Sequence, residues 1–179
     1  MILHTAYFPP LSHLEALATG DAIIEANESF QKRSTRNRAQ IMTADGVKLL
    51  PVPIVGGRSV RQSIRDVEVD YTENFGRVHL RSIVSAYRSA PYFDHFFDKI
   101  EPLFSLNPKY LFDLNCQITE SLLNTLKLPG ELRFTEEFIG AEVPRVHSAP
   151  YYQTFSHLHP FAPNLSILDY LFCCGFLTK

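Results

Sequence analysis

Hydrophobic residues cluster in short runs in the first third of the chain. Met1 to Thr5 is short and apolar enough for a buried strand, and Tyr7-Phe8-Pro9-Pro10 ends it in a turn. Ser12 to Ala18 predicts a short helix closed by Gly20, and Asp21 to Ala26, with paired isoleucines, predicts a second strand. A strand, a helix and a strand in that order point to an α/β beginning. Arg38 to Met42 and Val47 to Ile54 then flank TADGVK, where Asp45-Gly46 is a hairpin turn signal. Pro51 and Pro53 mark the second arm as an edge or an early strand end. Val55 to Gln62 reads as a loop, and Arg65 to Asp70 alternates like one more short strand.

The pattern changes period in the middle. Phe75 to Tyr87 has apolar residues at 80, 83, 84 and 87, which is a helical face. Ser89-Ala90-Pro91 punctuates the chain, with Pro91 placed for the first turn of a second helix. There Phe93, Phe96, Phe97, Ile100 and Phe104 form an aromatic stripe, a core feature. Asn107-Pro108 opens a third helix running to about Lys127, with Leu111, Leu114, Ile118 and Leu122 inward and Pro129-Gly130 as its stop. Leu132 to Phe138 reads as a strand, and Glu142 to Asn164 as an ordered surface excursion. Ser166 to Cys174 is a last short helix, with capping-box spacing between Ser166 and Asp169 and Gly175 as C-terminal stop. The fold class expected is α/β, with α+β as the alternative. A small mixed sheet from the N-terminal half joins a three-helix central segment and a short C-terminal helix. One domain over residues 1–179 is expected.

Composition narrows the class. Hydrophobic residues make up 45% and charged residues 20%, as in ordinary folded proteins. Fourteen Phe and eight Tyr without Trp make the core phenylalanine-rich. The start lacks a basic segment followed by a long apolar run, and no stretch approaches the roughly 18 apolar residues of a membrane span. Cys116, Cys173 and Cys174 are odd in number and form no C-x-x-C, so a disulfide framework or zinc site is not indicated. A cytoplasmic protein with reduced thiols is expected. Gly56-Gly57 fits neither nucleotide-binding glycine pattern, and no G-x-S-x-G elbow occurs, which disfavours an ATPase, an ordinary dehydrogenase and that type of hydrolase.

Charge is concentrated in one place. FQKRSTRNRAQI, Phe30 to Ile41, holds Lys32, Arg33, Arg36 and Arg38 and no acid. Removing these four from the 17 basic residues leaves 13 against 19 acidic. A duplex-binding face spreads its cations over several phosphates. One basic knot in an acidic body suits a small anionic ligand instead, and no nucleic acid.

Five segments then carry a resemblance. They are TAYFPP; KRSTRNRAQI with its following G…LPVPI; H-x-x-S-I-V-S-A-Y…APYFDHFFD; LFDLN; and PYYQTF…FAPNLSILDYLF. In that order the chain resembles the WbqC-like family, particularly the compact form common in Bacteroidales, from about Leu3 to Gly175. K-x-S-x-R-N-R and P-N-L-S-I-x-D-x-L-F are its most specific parts. The resemblance implies a setting in bacterial surface-polysaccharide biosynthesis, O-antigen included. From that setting follows a transferase, with acyl or aminoacyl transfer to a nucleotide-linked amino sugar. Phe75 and Leu80 stand where relatives usually carry tryptophan, and the insert that longer members have before P-Y-x-Q is absent.

The candidate site follows from the knot and the resemblance together. If Lys32 to Arg38 is extended, Lys32, Ser34, Arg36 and Arg38 share one face, a row suited to a phosphate or carboxylate. If it is helical, only Lys32 and Arg36 pair. A solvated edge strand is the plain alternative. The family pattern selects Lys32, Arg36, Asn37 and Arg38 for the anion, such as a nucleotide sugar or acyl donor, and leaves Arg33 on the surface. His79 is the candidate proton acceptor, against the commoner role of a satisfied core histidine. Gln153, beside two tyrosines, and Tyr7, beyond the first strand, are candidate ligand contacts. His157 and His159 have H-x-H spacing but no third ligand, so no metal is expected and the cofactor stays unassigned. Asp113, Asn115 and Asn164 also match family motifs, at helix starts and turns. Ser166 and Asp169 have a sufficient explanation as caps, and Cys116 as a small core residue. A non-catalytic scaffold of the same machinery is the rival reading, with Pro150 to Phe161 as its docking surface.

Overall fold

A computed structural model describes residues 1–56, 62–129, 131–146 and 149–176. Strand β1 (Ile2–His4) pairs in parallel with β2 (Ile23–Glu25), in the register Ile2↔Ile23, Leu3↔Ile24, His4↔Glu25. Helix α1 (Leu11–Ala18) makes the crossover that a parallel pair requires. Strands β3 (Arg38–Thr43) and β4 (Gly46–Pro51) form an antiparallel hairpin. Its two central turn residues are Ala44 and Asp45, one place earlier than the Asp-Gly signal suggests. Gly46 follows at φ +101°, a conformation favourable to glycine, and Thr43 Oγ1 donates to its carbonyl at 2.8 Å. The protein is thus mixed α/β, with parallel and antiparallel pairing in two separate two-stranded sheets.

Two expected strands reduce to isolated bridges, two in one case and one in the other, each for a local reason. In 65–70, the Ser63 hydroxyl accepts from the Arg65 N–H and starts a 3₁₀ turn, Ile64–Asp66. Only afterwards does the chain pair, at Ile54↔Val69 and Glu68↔Tyr110. That pairing holds Lys109 and Tyr110 extended, so helix α4 (Leu111–Thr125) begins four residues after Asn107. In 132–138, one parallel bridge joins Phe134 to Ile24. Beyond it Thr135 and the N–H groups of Ile139 and Gly140 turn toward the Glu25 carboxylate instead of a neighbouring strand. Residues 57–61 of the expected loop, and Gly130 of the expected helix stop, lie outside the described residues.

The central helices follow their apolar stripes. Helix α2 (Phe75–Tyr87) is capped by Asn74, whose Oδ1 accepts from the Arg77 N–H at 3.0 Å. Helix α3 (Phe93–Ile100) runs into a 3₁₀ turn, Glu101–Ser105, and buries Phe93, Phe96, Ile100 and Phe104. Phe97 is half-buried, stacked on Phe93. On α4, Leu111, Leu114, Ile118 and Leu122 point inward. Helix α5 (Ile167–Cys174) packs Phe172 against Tyr87 and Phe93, and Gly175 ends it at φ +88°. Each such phenylalanine, fully buried, contributes about 1.5–3 kcal/mol.

One glycine fixes the closest approach in this core. A Cβ on Gly76 would lie 2.0 Å from the Phe104 carbonyl oxygen, which is backbone and cannot swing aside. Gly76→Ala is expected to destabilise the protein by about 2–3 kcal/mol through overpacking, despite alanine's better helix propensity. Urea unfolding of the two proteins measures this, and an unchanged midpoint would show that α2 and the 101–105 turn can separate freely.

Candidate functional site

The basic knot is a turn and not a strand. The Ser34 hydroxyl donates to the Gln31 carbonyl at 2.6 Å and accepts from the Arg36 N–H, Arg33 takes φ +57°, and Thr35–Asn37 form a 3₁₀ turn. The expected row of Lys32, Ser34, Arg36 and Arg38 on one face is therefore broken. Lys32 and Arg33 are exposed, Arg36 and Asn37 are buried, and Arg38, the first residue of β3, is half-buried.

Arg36 is committed internally. Its Nε donates to Glu28 Oε1 at 2.7 Å, its Nη2 pairs with Glu28 Oε2, and both side chains are about 95% buried. This bidentate pair lies in a cleft of about 570 Å³ whose other wall includes Phe138 and Gly140. Asn115 Nδ2 holds the Arg36 carbonyl at 2.8 Å, and Asn37 Nδ2 reaches the Val52 carbonyl at 3.3 Å. Breaking a buried pair from one side strands the other charge. Glu28→Ala is expected to cost about 3–5 kcal/mol in urea unfolding, whereas a loss under 1 kcal/mol would mean that Arg36 finds another partner.

Arg38 sits differently. Its Nε is buried without a hydrogen-bond partner. The side chain borders a small pit of about 80 Å³ with Phe8, Thr35, Gln40, Asn164 and Ser166. The neighbouring donors are already used: Leu11 N–H binds the Leu165 carbonyl, Ser12 N–H binds Asn164 Oδ1, and the Ser166 hydroxyl donates to the Phe8 carbonyl. Thr35 Oγ1 lies 2.6 Å from His4 Nε2, and His13 Nε2 lies 2.7 Å from the His4 carbonyl oxygen. Burial, then the His13 and Arg36 charges, hold His4 down at about 2. The imidazole is neutral at any ordinary pH. No sequence signal marks this histidine pair, because β1 and α1 bring it together only in three dimensions.

Tyr7 and His79 meet, but away from any open surface. The Tyr7 hydroxyl is 3.0 Å from His79 Nδ1, a further hydrogen bond ties the ring to the Pro51 carbonyl, and the two residues are 1% and 3% exposed. This is the arrangement of a satisfied core histidine, closed from solvent. Gln153 is equally occupied. Its Nε2 donates to Asp169 Oδ2 at 2.9 Å and to the Ala162 carbonyl, and its Oε1 accepts from the Ala162 N–H. Asp169 is no capping-box residue. Its carboxylate accepts from the hydroxyls of Tyr87 and Tyr151 at 2.7 and 2.8 Å, while Ser166 alone caps α5. The side chains of Arg36, His79 and Gln153 thus bond to different partners. His159 Nε2 binds the Ala44 carbonyl, and among the described residues no cluster of three metal-ligating side chains occurs.

The chain matches the WbqC-like protein family over residues 5–142. It belongs to that family. Uncharacterized protein Rv1507c of Mycobacterium tuberculosis is 28% identical over 104 residues, a match covering 58% of this chain and 45% of that protein. The chain therefore spans less than half the length of that curated relative. No solved structure matches.

In this WbqC-like chain the family match contains Tyr7, the whole knot and His79, while Gln153, Asn164 and Asp169 fall beyond it. Phe75 and Leu80, the two positions where tryptophan is expected in relatives, border a common cleft between α2 and the 101–105 turn. No helix among the described residues is long and apolar enough to cross a membrane. Cys116 and Cys173 are free thiols that burial pushes up to about 12, so neither is a ready nucleophile.

The buried histidines make stability depend on pH. Burial lowers His13 and His79 to about 4, and His4 further. Below the ordinary value of about 6.5 the unfolded chain takes up protons that the folded chain refuses. Stability is therefore full above pH 6.5 and falls as pH drops toward 4, by at most about 1.4 kcal/mol per pH unit for each histidine. Asp169, raised by burial, acts in the opposite sense. Comparing the urea midpoint of the protein and of His79→Gln at pH 7.5 and 5.5 isolates one imidazole, and the variant is expected to lose less on acidification. An equal loss would place the His79 titration in both states alike.

Proposed function

We propose that this WbqC-like protein is a transferase of bacterial surface-polysaccharide biosynthesis that holds the anionic part of its substrate at Arg38. One observation carries the reading: a buried guanidinium N–H without a partner, at a pit with a threonine hydroxyl beside it. An unmet buried donor is costly, and a charged acceptor removes that cost. The pit is sized for a single phosphoryl or carboxylate group, since a water occupies about 30 Å³ in the liquid. Exposed Lys32, on the adjoining turn, adds long-range attraction for an anion. Tyr7 donates its backbone N–H to the Thr35 carbonyl at 3.0 Å, so the Tyr7–His79 pair props the site from behind. Arg36 and Asn37 shape the turn that presents Arg38. A nucleotide-linked amino sugar as the molecule held, and acyl transfer as the reaction, rest on the family setting.

The protein is expected to bind UDP- or dTDP-linked sugars in isothermal titration, with Arg38→Ala weakening binding by at least about tenfold. Thermal unfolding of the variant checks its fold. Absence of binding, or an Arg38→Ala affinity equal to that of the unaltered protein, would overturn the assignment.

A docking scaffold is the second reading. Phe138, Ile139, Val143, Tyr152 and Leu158 are each more than half exposed between 138 and 158, an apolar display that chemistry does not require.

A further inference from the structure

A second cavity has no part in this reading. The cleft between α2 and the 101–105 turn measures about 460 Å³, within the range of small-molecule sites. It is distinct from the Arg38 pit. Phe8 lines the pit, Phe104 lines the cleft, and their rings stack at 4.7 Å, so an aromatic partition stands between the two. Its apolar surface comes from Tyr71 and Leu80, with Phe75 beneath. Tyr71 is held in place twice, by stacking on Phe75 at 5.5 Å and by its hydroxyl donating to the Pro108 carbonyl at 2.9 Å.

The polar groups around this surface are free to bind. The Arg77 guanidinium is exposed and has no ion pair among the described residues. The Ser105 hydroxyl and the Asn107 amide border the cleft without internal hydrogen bonds among the described residues. Asn74 spends its Oδ1 on the Arg77 N–H, which leaves its amide donors. The ligand chemistry follows from this set. Phe75 and Phe104 are only 8% and 7% exposed, so Tyr71 offers one open aromatic face and no second open ring to clamp a flat base. A single face suits the C–H side of a pyranose, amides and a hydroxyl suit its hydroxyl edge, and an unpaired guanidinium suits an attached anion.

We propose that the cleft is a binding site for an anionic sugar, a pyranose bearing a phosphate, seated on Tyr71 with its charge at Arg77. The site stands independently of the anion assigned to Arg38.

Ligand-observed NMR and isothermal titration with glucose 1-phosphate test it, beside glucose and inorganic phosphate at equal millimolar concentration. Glucose 1-phosphate is expected to bind at least about tenfold more tightly than either fragment, and Arg77→Ala to weaken it at least about tenfold in the unaltered and the Arg38→Ala protein alike. Leu80→Trp, which fills the cleft, is expected to abolish binding while thermal unfolding shows the variant folded. A UDP-glucose arm identifies the source of the phosphate: binding lost with Arg77→Ala places a nucleotide diphosphate sugar here, and binding of glucose 1-phosphate alone places a free sugar phosphate, either outcome supporting the site. No binding of either, phosphate binding as tightly as the sugar phosphate, or binding unaltered by Arg77→Ala in the Arg38→Ala protein overturns it.

Discussion

A buried carboxylate that receives several protein donors is the interaction on which the C-terminal third of this fold depends. Between 131 and 146 and between 149 and 166 the chain has no helix and no strand among the described residues, so no ladder holds it in place. Two acids do so instead. Glu25 on β2, with no exposed surface, accepts from the Thr135 hydroxyl and the N–H groups of Ile139, Gly140 and Asn27. Burial pushes its carboxyl up, but those four donors outweigh it and hold it near 2. Asp169 on α5 does the same for the following stretch through Tyr151 and Gln153, and adds Tyr87 of α2. An irregular segment must place its polar groups somewhere, and here a few side-chain oxygens collect them.

The same use of acids explains what remains available on the basic knot. Glu28 absorbs the Arg36 charge at the start of the turn, so the four cations of the sequence do not act together. What survives is a division of labour imposed by a 3₁₀ turn: Arg36 braces the loop, Asn37 pins it to Val52, and Arg38 alone keeps an unmet donor. A local charge count overstates a site whenever a buried counter-ion lies a few residues upstream, as Glu28 does.

Much of the architecture was legible in the chain. The parallel pair, the hairpin, the α2 stripe, the phenylalanine helix and the α5 boundaries follow from period and punctuation, because burial on one face is what those patterns record. The candidate site was legible as a set of residues but not as a geometry. Gln153 and Asp169 read as a ligand contact and a cap, yet they bond to each other, since a contact across 16 positions on an irregular segment leaves no periodic trace. His4 and Thr35 were invisible for the same reason, being 31 residues apart on a strand and a turn. The late start of α4 came from pairing with a distant segment, which local propensity does not contain, whereas the hairpin turn closes one residue early because Thr43 pairs with Gly46.

Tyr7 and Phe8 give the two cavities a common origin. The turn after β1 places Phe8 at φ +39°, a strained value for a bulky residue. Adjacent side chains on that turn reach different neighbours: Phe8 stacks on Phe104, and Tyr7 packs edge-on to Phe75 while its hydroxyl meets His79. Both residues are closed from solvent, so the partition they help form is rigid packing and not a movable flap. Any ligand in the Arg38 pit and any ligand on Tyr71 therefore press on opposite sides of one aromatic wall. A reaction that joined two such molecules would need them to meet around this wall and not through it, which confines group transfer to atoms projecting from the mouth of either cavity.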